Sequence, residues 1–474
     1  MSNLFATLGT SGNALEAYQQ ALNVVQNNIN NSTTPGFASQ SINLVPQPFD
    51  LAGGLAGGVA ARGLISARDE YGEEEVRRQV QLLGLYQSQA QGATSLSNFF
   101  DPTGNSGVPA EWSQLLNSFS AWSLNPSSTS ARQSVLDSAN TLASGVRSLA
   151  ASLSQTGQNI QGQIGSTVQQ INQLTAQIQH YNIQRLRSPT PDPNLDAQVH
   201  SALEQLSQLA DVSAVAQADG TFTVVLSGGA PLVVGASQFA LSANNSVPAG
   251  AANPKSPPSS HILDAQGNDI TAQITGGNLG GLLDVHNRIL ASVLGDATQA
   301  GSLNTFAKSL ADTVNGILQS GTTSPAAGSP QGSALFTYDN SDATTAAASL
   351  ALNPVITPDA LAPVDASGNA NGNALQLASL ANSTASGGIN GQTFSDFFAG
   401  ITSALGNEAA TATANQQAQT QVTDQTKAMR DQISAVSLDQ QAIVMTQFQN
   451  SYNAVAKLVT VIDNLTQTTI NMLP

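Results

Sequence analysis

Four histidines, His180, His200, His261 and His286, are the chain's candidates for imidazole chemistry. A histidine metal site needs its ligands close together on one face, as in a His-Glu-x-x-His helix, and these four are scattered with no such spacing. With no cysteine in the chain, thiolate nucleophiles, disulfides and Cys-ligated zinc are excluded. Glu73, Glu74 and Glu75 form the one acidic run that invites a cation reading. Carboxylates at a helix start are favoured by the helix dipole, so the run reads as a solvated first turn. Gly53-Gly54 and Gly57-Gly58 could cradle a phosphate, but no Lys-Ser/Thr follows them. A Gly-x-Ser-x-Gly elbow is also missing. The residues therefore predict no catalytic, cofactor or metal site, and not an enzyme.

Composition points the same way. The chain has 474 residues, enough for about three domains. Only 9% are charged, against roughly 25% in ordinary globular proteins. Uncharged polar groups cost less to desolvate than ions, so such a surface suits packing against copies of itself. Net charge is −16 and no basic run exists, which argues against nucleic acid or an anionic membrane as partner. No apolar stretch is long enough to span a bilayer. No Lys or Arg precedes Arg62, so a cleaved secretory signal is not expected.

Both ends read as amphipathic helices. Leu8, Leu15, Leu22 and Ile29 recur every seven residues, with Ser11, Tyr18 and Val25 at a second seam position. Thr34-Pro35-Gly36 should stop this helix. At the other end Phe448, Val455 and Ile462 occupy one seam position, and Val444, Leu458, Leu465 and Met472 the other. Ser437 and Gln440 fit a capping box that starts the last helix. Two narrow, nearly uncharged seams each need a partner, and pairing with each other is the economical solution.

Between them, Glu73–Phe100 reads as a helix with Glu73–Arg77 and Glu74–Arg78 pairs at i,i+4. Residues 51–66 read as extended or looped. A helix from Ser130 to Leu186 would be about 85 Å long, weakened locally by Gly145, Gly157, Gly162 and Gly165. The Ser188–Pro193 segment ends it. A short helix near Leu195–Leu209 precedes alternating runs around Asp219-Gly220, a hairpin signal. Leu282–Leu318 has helical period. The chain is thus expected to be mainly α with a small β-rich part, an α+β protein. The expected division is 1–45 paired with 431–474, an elongated helical domain of 46–210 and 283–430, and a small β-rich domain of 211–282.

Asn27-Asn28-Ile29-Asn30-Asn31 with Thr34-Pro35-Gly36-Phe37, and Ser437-Leu438-Asp439-Gln440-Gln441 with Phe448-Gln449-Asn450-Ser451-Tyr452, resemble the terminal motifs of the flagellar rod, hook and hook-associated protein family. In the middle, Ala131–Leu136, Val168–Ile178, Leu203 through Leu232-Val233-Val234-Gly235, and Gly280-Gly281-Leu282-Leu283 are similar to the hook-associated protein 1 family, in collinear order. Departures are Gln440 and Gln441, where acidic residues are usual, and Ala38-Ser39, where an Arg commonly follows. The extra β domain of long members is expected to be missing or rudimentary.

The resemblance implies a nonenzymatic subunit of the hook–filament junction in an extracellular flagellum, exported by the flagellar type III apparatus without a cleaved signal. Implied partners are itself in an axial polymer, the hook protein, hook-associated protein 3 and a cytoplasmic export chaperone, with no cofactor. The rivals are another axial subunit, hook or distal rod, and a secreted coiled-coil protein. The long helical middle disfavours the first, and the paired terminal motifs disfavour the second.

Overall fold

A computed structural model describes residues 2–50, 55–188, 192–384 and 388–472. Gly53 and Gly54, and the Pro189–Pro191 part of the expected helix stop, lie outside the described residues. The fold is mainly helical with small antiparallel sheets.

The spine is a single helix. After α1 (Ser2–Asn30), α2 (Glu70–Ser97) and α3 (Gly107–Leu124) comes α4, Thr129–Arg187, 59 residues without a break. Ser128 caps it, its hydroxyl accepting from Ala131 N. Gly157, expected to weaken this helix, is instead a packing seat. A Cβ there would stand 2.7 Å from Leu290 Cδ2, so any larger residue would push the Leu290 side chain aside.

Then follow α5 (Pro193–Leu209), α6 (Gly277–Asp284), a π-helical turn (Val285–Leu290), α7 (Ala291–Leu294), α8 (Ser302–Gln319), α9 (Ala346–Ser349), α10 (Gly372–Ser379), α11 (Phe394–Ser434) and α12 (Leu438–Asn471). The expected helix over Leu282–Leu318 is therefore broken. Gly295 at φ +86 ends α7, and Asp296 closes a turn by accepting from Thr298 N at 2.7 Å. The apolar period carries through the break because both helices bury onto the same core.

The core runs through α3, α4, α6, α8 and the first half of α11. Trp112 stacks edge-on against Phe394 at 5.3 Å, and Phe306 contacts both Phe394 and Phe398. The strands β5 (Val212–Ala216), β6 (Phe222–Leu226), β7 (Pro231–Val234) and β8 (Ser237–Gln238), numbered after four N-terminal strands described below, form one antiparallel sheet. The Asp219-Gly220 turn joins its first hairpin, with Val212 opposite Leu226. Asn182 of α4 ties the sheet to the spine. Its amide donates to the carbonyls of Phe222 and Gly235 and accepts from Phe222 N, each at 2.8 Å. A second ladder pairs β9 (Ser242–Ser246) with β10 (Ser259–Leu263). Among the described residues of 320–392, one short ladder pairs β11 (Phe336–Thr337) with β12 (Ala351–Leu352).

Three expected boundaries move. β1 (Gln40–Pro46) pairs antiparallel with β4 (Val59–Ser66), and both pack on α1. With β2 (Phe49–Asp50) and β3 (Leu55–Ala56), this puts the stretch after residue 45 with the terminal helices and not with the helical body. The expected start at 283 falls inside α6, which packs along α2. The expected start at 431 falls in the last turn of α11, and the chain actually turns at 435–437.

Candidate assembly interface

α1 and α12 pack against each other. The buried line on α1, which packs on α12 and on β1, β3 and β4, runs through Ser11, Ala14, Ala17, Ala21, Val25 and Asn28. Of the expected seam residues Val25 is on it, while Leu8, Leu15, Leu22 and Ile29 are half-buried along its flank. The reason is size. Alanine lets two helix backbones come close, and the larger leucines are then pushed to the edge. Tyr18 reaches across to Phe448, ring centroids 6.3 Å apart.

On α12 the inward line is Gln441, Phe448, Val455 and Ile462, alternating with Met445, Tyr452, Val459 and Thr466. Val444 is half-buried beside it. Leu458 and Leu465 do not face α1: they are 47% and 52% exposed, whereas Ile462 is 4% exposed. The step from Val455 is four residues, to Val459, where the sequence reading took three. The result is an outer apolar face on α12 of Leu458, Val461 and Leu465, each about half exposed.

The terminal motifs have separate tasks. Asn28 is fully buried and completely hydrogen-bonded. Its Nδ2 donates to Gln40 O at 2.7 Å and to Gln441 Oε1 at 3.0 Å, and its Oδ1 accepts from Gln40 N at 2.9 Å. One side chain thus joins α1, β1 and α12. Asn31 Nδ2 donates back to Asn27 O at 3.0 Å, closing the helix end. Pro35, Leu438 and Asp439 are exposed, and Phe37 is half-buried. Ser437 caps α12 by accepting from Gln440 N.

Gly36 sits at φ +75, and a Cβ there would lie 2.4 Å from Ala197 O on α5. Its carbonyl accepts from Arg68 Nη2 at 2.7 Å. Arg68, 4% exposed, also pairs with Glu73 at 2.7 Å and Asp196 at 2.8 Å. Arg430 reaches Glu73 at 3.5 Å and Glu204 at 2.9 Å, and Lys427 reaches Glu204 at 2.7 Å. Glu73 is therefore not a solvated helix start, and the expected i,i+4 pairs give way. Glu73 bonds Arg68 and Arg430, while Arg78 bonds Glu75. His200 is buried within this cluster. Burial, then the guanidiniums of Arg68, Arg77 and Arg430, push its pKa down to about 2. Glu70 and Asp196, at 3.8 and 3.7 Å, are too far to hydrogen-bond it and do not outweigh them. Sequence reading missed this node because its charged members come from three distant segments. The available signal was the concentration of opposite charges near residues 68–78, 192–204 and 427–431 in a chain otherwise poor in them.

A model of the flagellar hook-associated protein FlgK helical domain matches residues 93–336, just over half of the chain. The chain belongs to the flagellar hook-associated protein FlgK family. A flagella basal body rod protein model also matches residues 8–37, most of α1 with Asn28 and the turn after it with Gly36. Flagellar hook-associated protein 1 of Bacillus subtilis is 26% identical over 99% of both chains. The Salmonella typhimurium protein of the same name is 28% identical, covering 64% of this chain and 54% of its own length. The solved hook junction protein FlgK of Burkholderia pseudomallei has the same fold, with a TM-score of 0.64 at 20% identity, covering 77% of this chain and all of that one. The chain is accordingly a structural subunit of the bacterial flagellum, of the hook-associated protein 1 family that forms the hook–filament junction. That family is structural and not an enzyme family. Among the described residues no helix is long and apolar enough to cross a membrane.

Proposed function

We propose that the chain is a nonenzymatic adaptor that assembles into one layer of the flagellar axis, with its terminal helix pair inside the tube and its helical body outside. The observation that carries this reading is the half-exposed apolar face of α12, Leu458, Val461 and Leu465, beside a helix pair almost free of charge. Burying such a face against a neighbour is favourable at roughly 25 cal/mol per Å² of apolar area. A head-to-tail contact of this kind extends along an axis instead of closing a dimer. The hook protein below, hook-associated protein 3 above, an export chaperone and export through the type III apparatus complete the reading. They rest on the family alone. The contact residues proposed are Leu8, Leu15, Leu22 and Ile29 on the flank of α1 with Leu458 and Leu465 on α12, while Tyr18, Val25, Val444, Phe448, Val455 and Ile462 hold the pair itself.

Leu458→Asp with Leu465→Asp should leave the helix content and thermal unfolding of the purified chain unchanged and abolish filament attachment in cells. Normal attachment with this double variant would reject the proposed contact face.

A further inference from the structure

The terminal module, α1 and α12 with the β1–β4 ladder, is joined to the helical body by two chain crossings, 67–69 and 435–437, and its own loop between α1 and β1 touches α5 at Gly36. The crossings and the end of that loop are stitched to one another. Ser39 N donates to Ser434 O at 2.8 Å, Ala67 N to Ser39 O at 2.8 Å, and Asp69 N to Ser434 Oγ at 3.1 Å. Beyond them, among the described residues, no helix or strand of the module packs along a helix of the body. A crevice of about 210 Å³ separates the two, with Gln40, Leu64 and Ser66 on one side and Arg185, Asp192 and Asp196 on the other. Two crossings stitched to one loop make a pivot, and a pivot without helices or strands packed along its flanks does not by itself fix an angle.

We propose that the charge cluster beside this pivot is an orientation latch that sets the inclination of the terminal module on the body. Arg68 leaves the 67–69 crossing and grips three places at once: the Gly36 carbonyl on the module's loop between α1 and β1, Glu73 on α2 and Asp196 on α5. Arg430, on α11 one turn before the 435–437 crossing, braces Glu73 and Glu204 within the body. The planar guanidinium fork holds a direction as well as a distance, so Arg68, gripping the module's loop on one side and α2 and α5 on the other, resists rotation about the pivot. Asp196 and Glu204 both lie on α5, so α5 is the fixed bar against which the module is set. An apolar contact would hold the two parts together without selecting one angle so sharply, because it is non-directional. The inference concerns the single chain and does not depend on the adaptor reading.

The chain lacks cysteine, so paired labels can be introduced without background. Gln26→Cys on α1 and Gln169→Cys on α4, both exposed, would carry spin labels in the full-length chain. Pulsed dipolar spectroscopy then reads the module-to-body distance. A second pair, Ser148→Cys with Gln169→Cys, lies wholly within α4 and reads the body alone. The latch predicts one narrow distance for the first pair. In Arg68→Gln its width should at least double while the α4 pair is unchanged, and Arg68→Lys, which keeps the charge without the fork, should fall between. An unchanged first distance in Arg68→Gln overturns the latch. So does a broadened α4 pair, which would make Arg68 a determinant of the body's folding and not of orientation.

Discussion

The side chain of Asn28 donates to Gln441 across 413 residues of sequence, at 3.0 Å in a fully buried position. That bond, with the two between Asn28 and the Gln40 backbone, makes the pairing of the chain ends specific, because an apolar seam of alanines could slide. Asn28→Ala leaves the Gln40 N–H, the Gln40 carbonyl and Gln441 without this partner. An orphaned buried polar group costs about 1–3 kcal/mol. Thermal unfolding of the terminal helices should therefore drop, while that of the body holds.

Gln441 accepts this bond through its oxygen, and a carboxylate accepts as well. Gln441→Glu should keep the pairing and Gln441→Lys, which has no acceptor, should lose it. Amide exchange of α1 reads the difference: protection retained in the first and lost in the second.

Gly36→Ala meets two obstacles together. Residues forced to positive φ cost about 1–3 kcal/mol, and the added carbon would collide with Ala197 O. The expected result is a lowered melting temperature with displacement of the loop from α5, seen as proteolytic cutting near residue 36. Unchanged stability would mean that the loop can shift without loss.

In the body, Trp112 is buried among Phe394 and its neighbours. Trp112→Ala should cost about 3–5 kcal/mol through the cavity it leaves. Differential scanning calorimetry should show the body transition lowered, with the terminal pair reporting separately.

His200 gives the body a pH dependence. Its folded pKa lies near 2, below the usual value of 6.5, so the unfolded chain binds the proton first as pH falls. Its contribution to stability is full above about pH 6.5 and is lost progressively below it, by at most about 1.4 kcal/mol per pH unit. Denaturant titrations from pH 7 to 5 should show this slope, and His200→Gln should flatten it.

Much of this was legible in the sequence. The long α4 helix, the Asp219-Gly220 hairpin and the amphipathic ends follow from period and turn chemistry. The register of the ends was not. Leucine marks a seam in most coiled coils, but here Ala14, Ala17 and Ala21 bring the backbones together and leave the leucines at the flank. A spacing of three or four after Val455 cannot be decided from one helix, because the choice depends on its partner. The Arg68–Glu73–Arg430–Glu204 node was equally hidden. Charges read as local i,i+4 pairs until the fold brings distant ones closer.

We propose that this subunit joins filament to hook. Deleting its gene, imaging the cells by electron microscopy and assaying the medium for unattached flagellin tests this. Bare hooks with filament protein lost to the medium, restored by the intact chain, are expected. Filaments still attached to hooks in the deletion strain would contradict it.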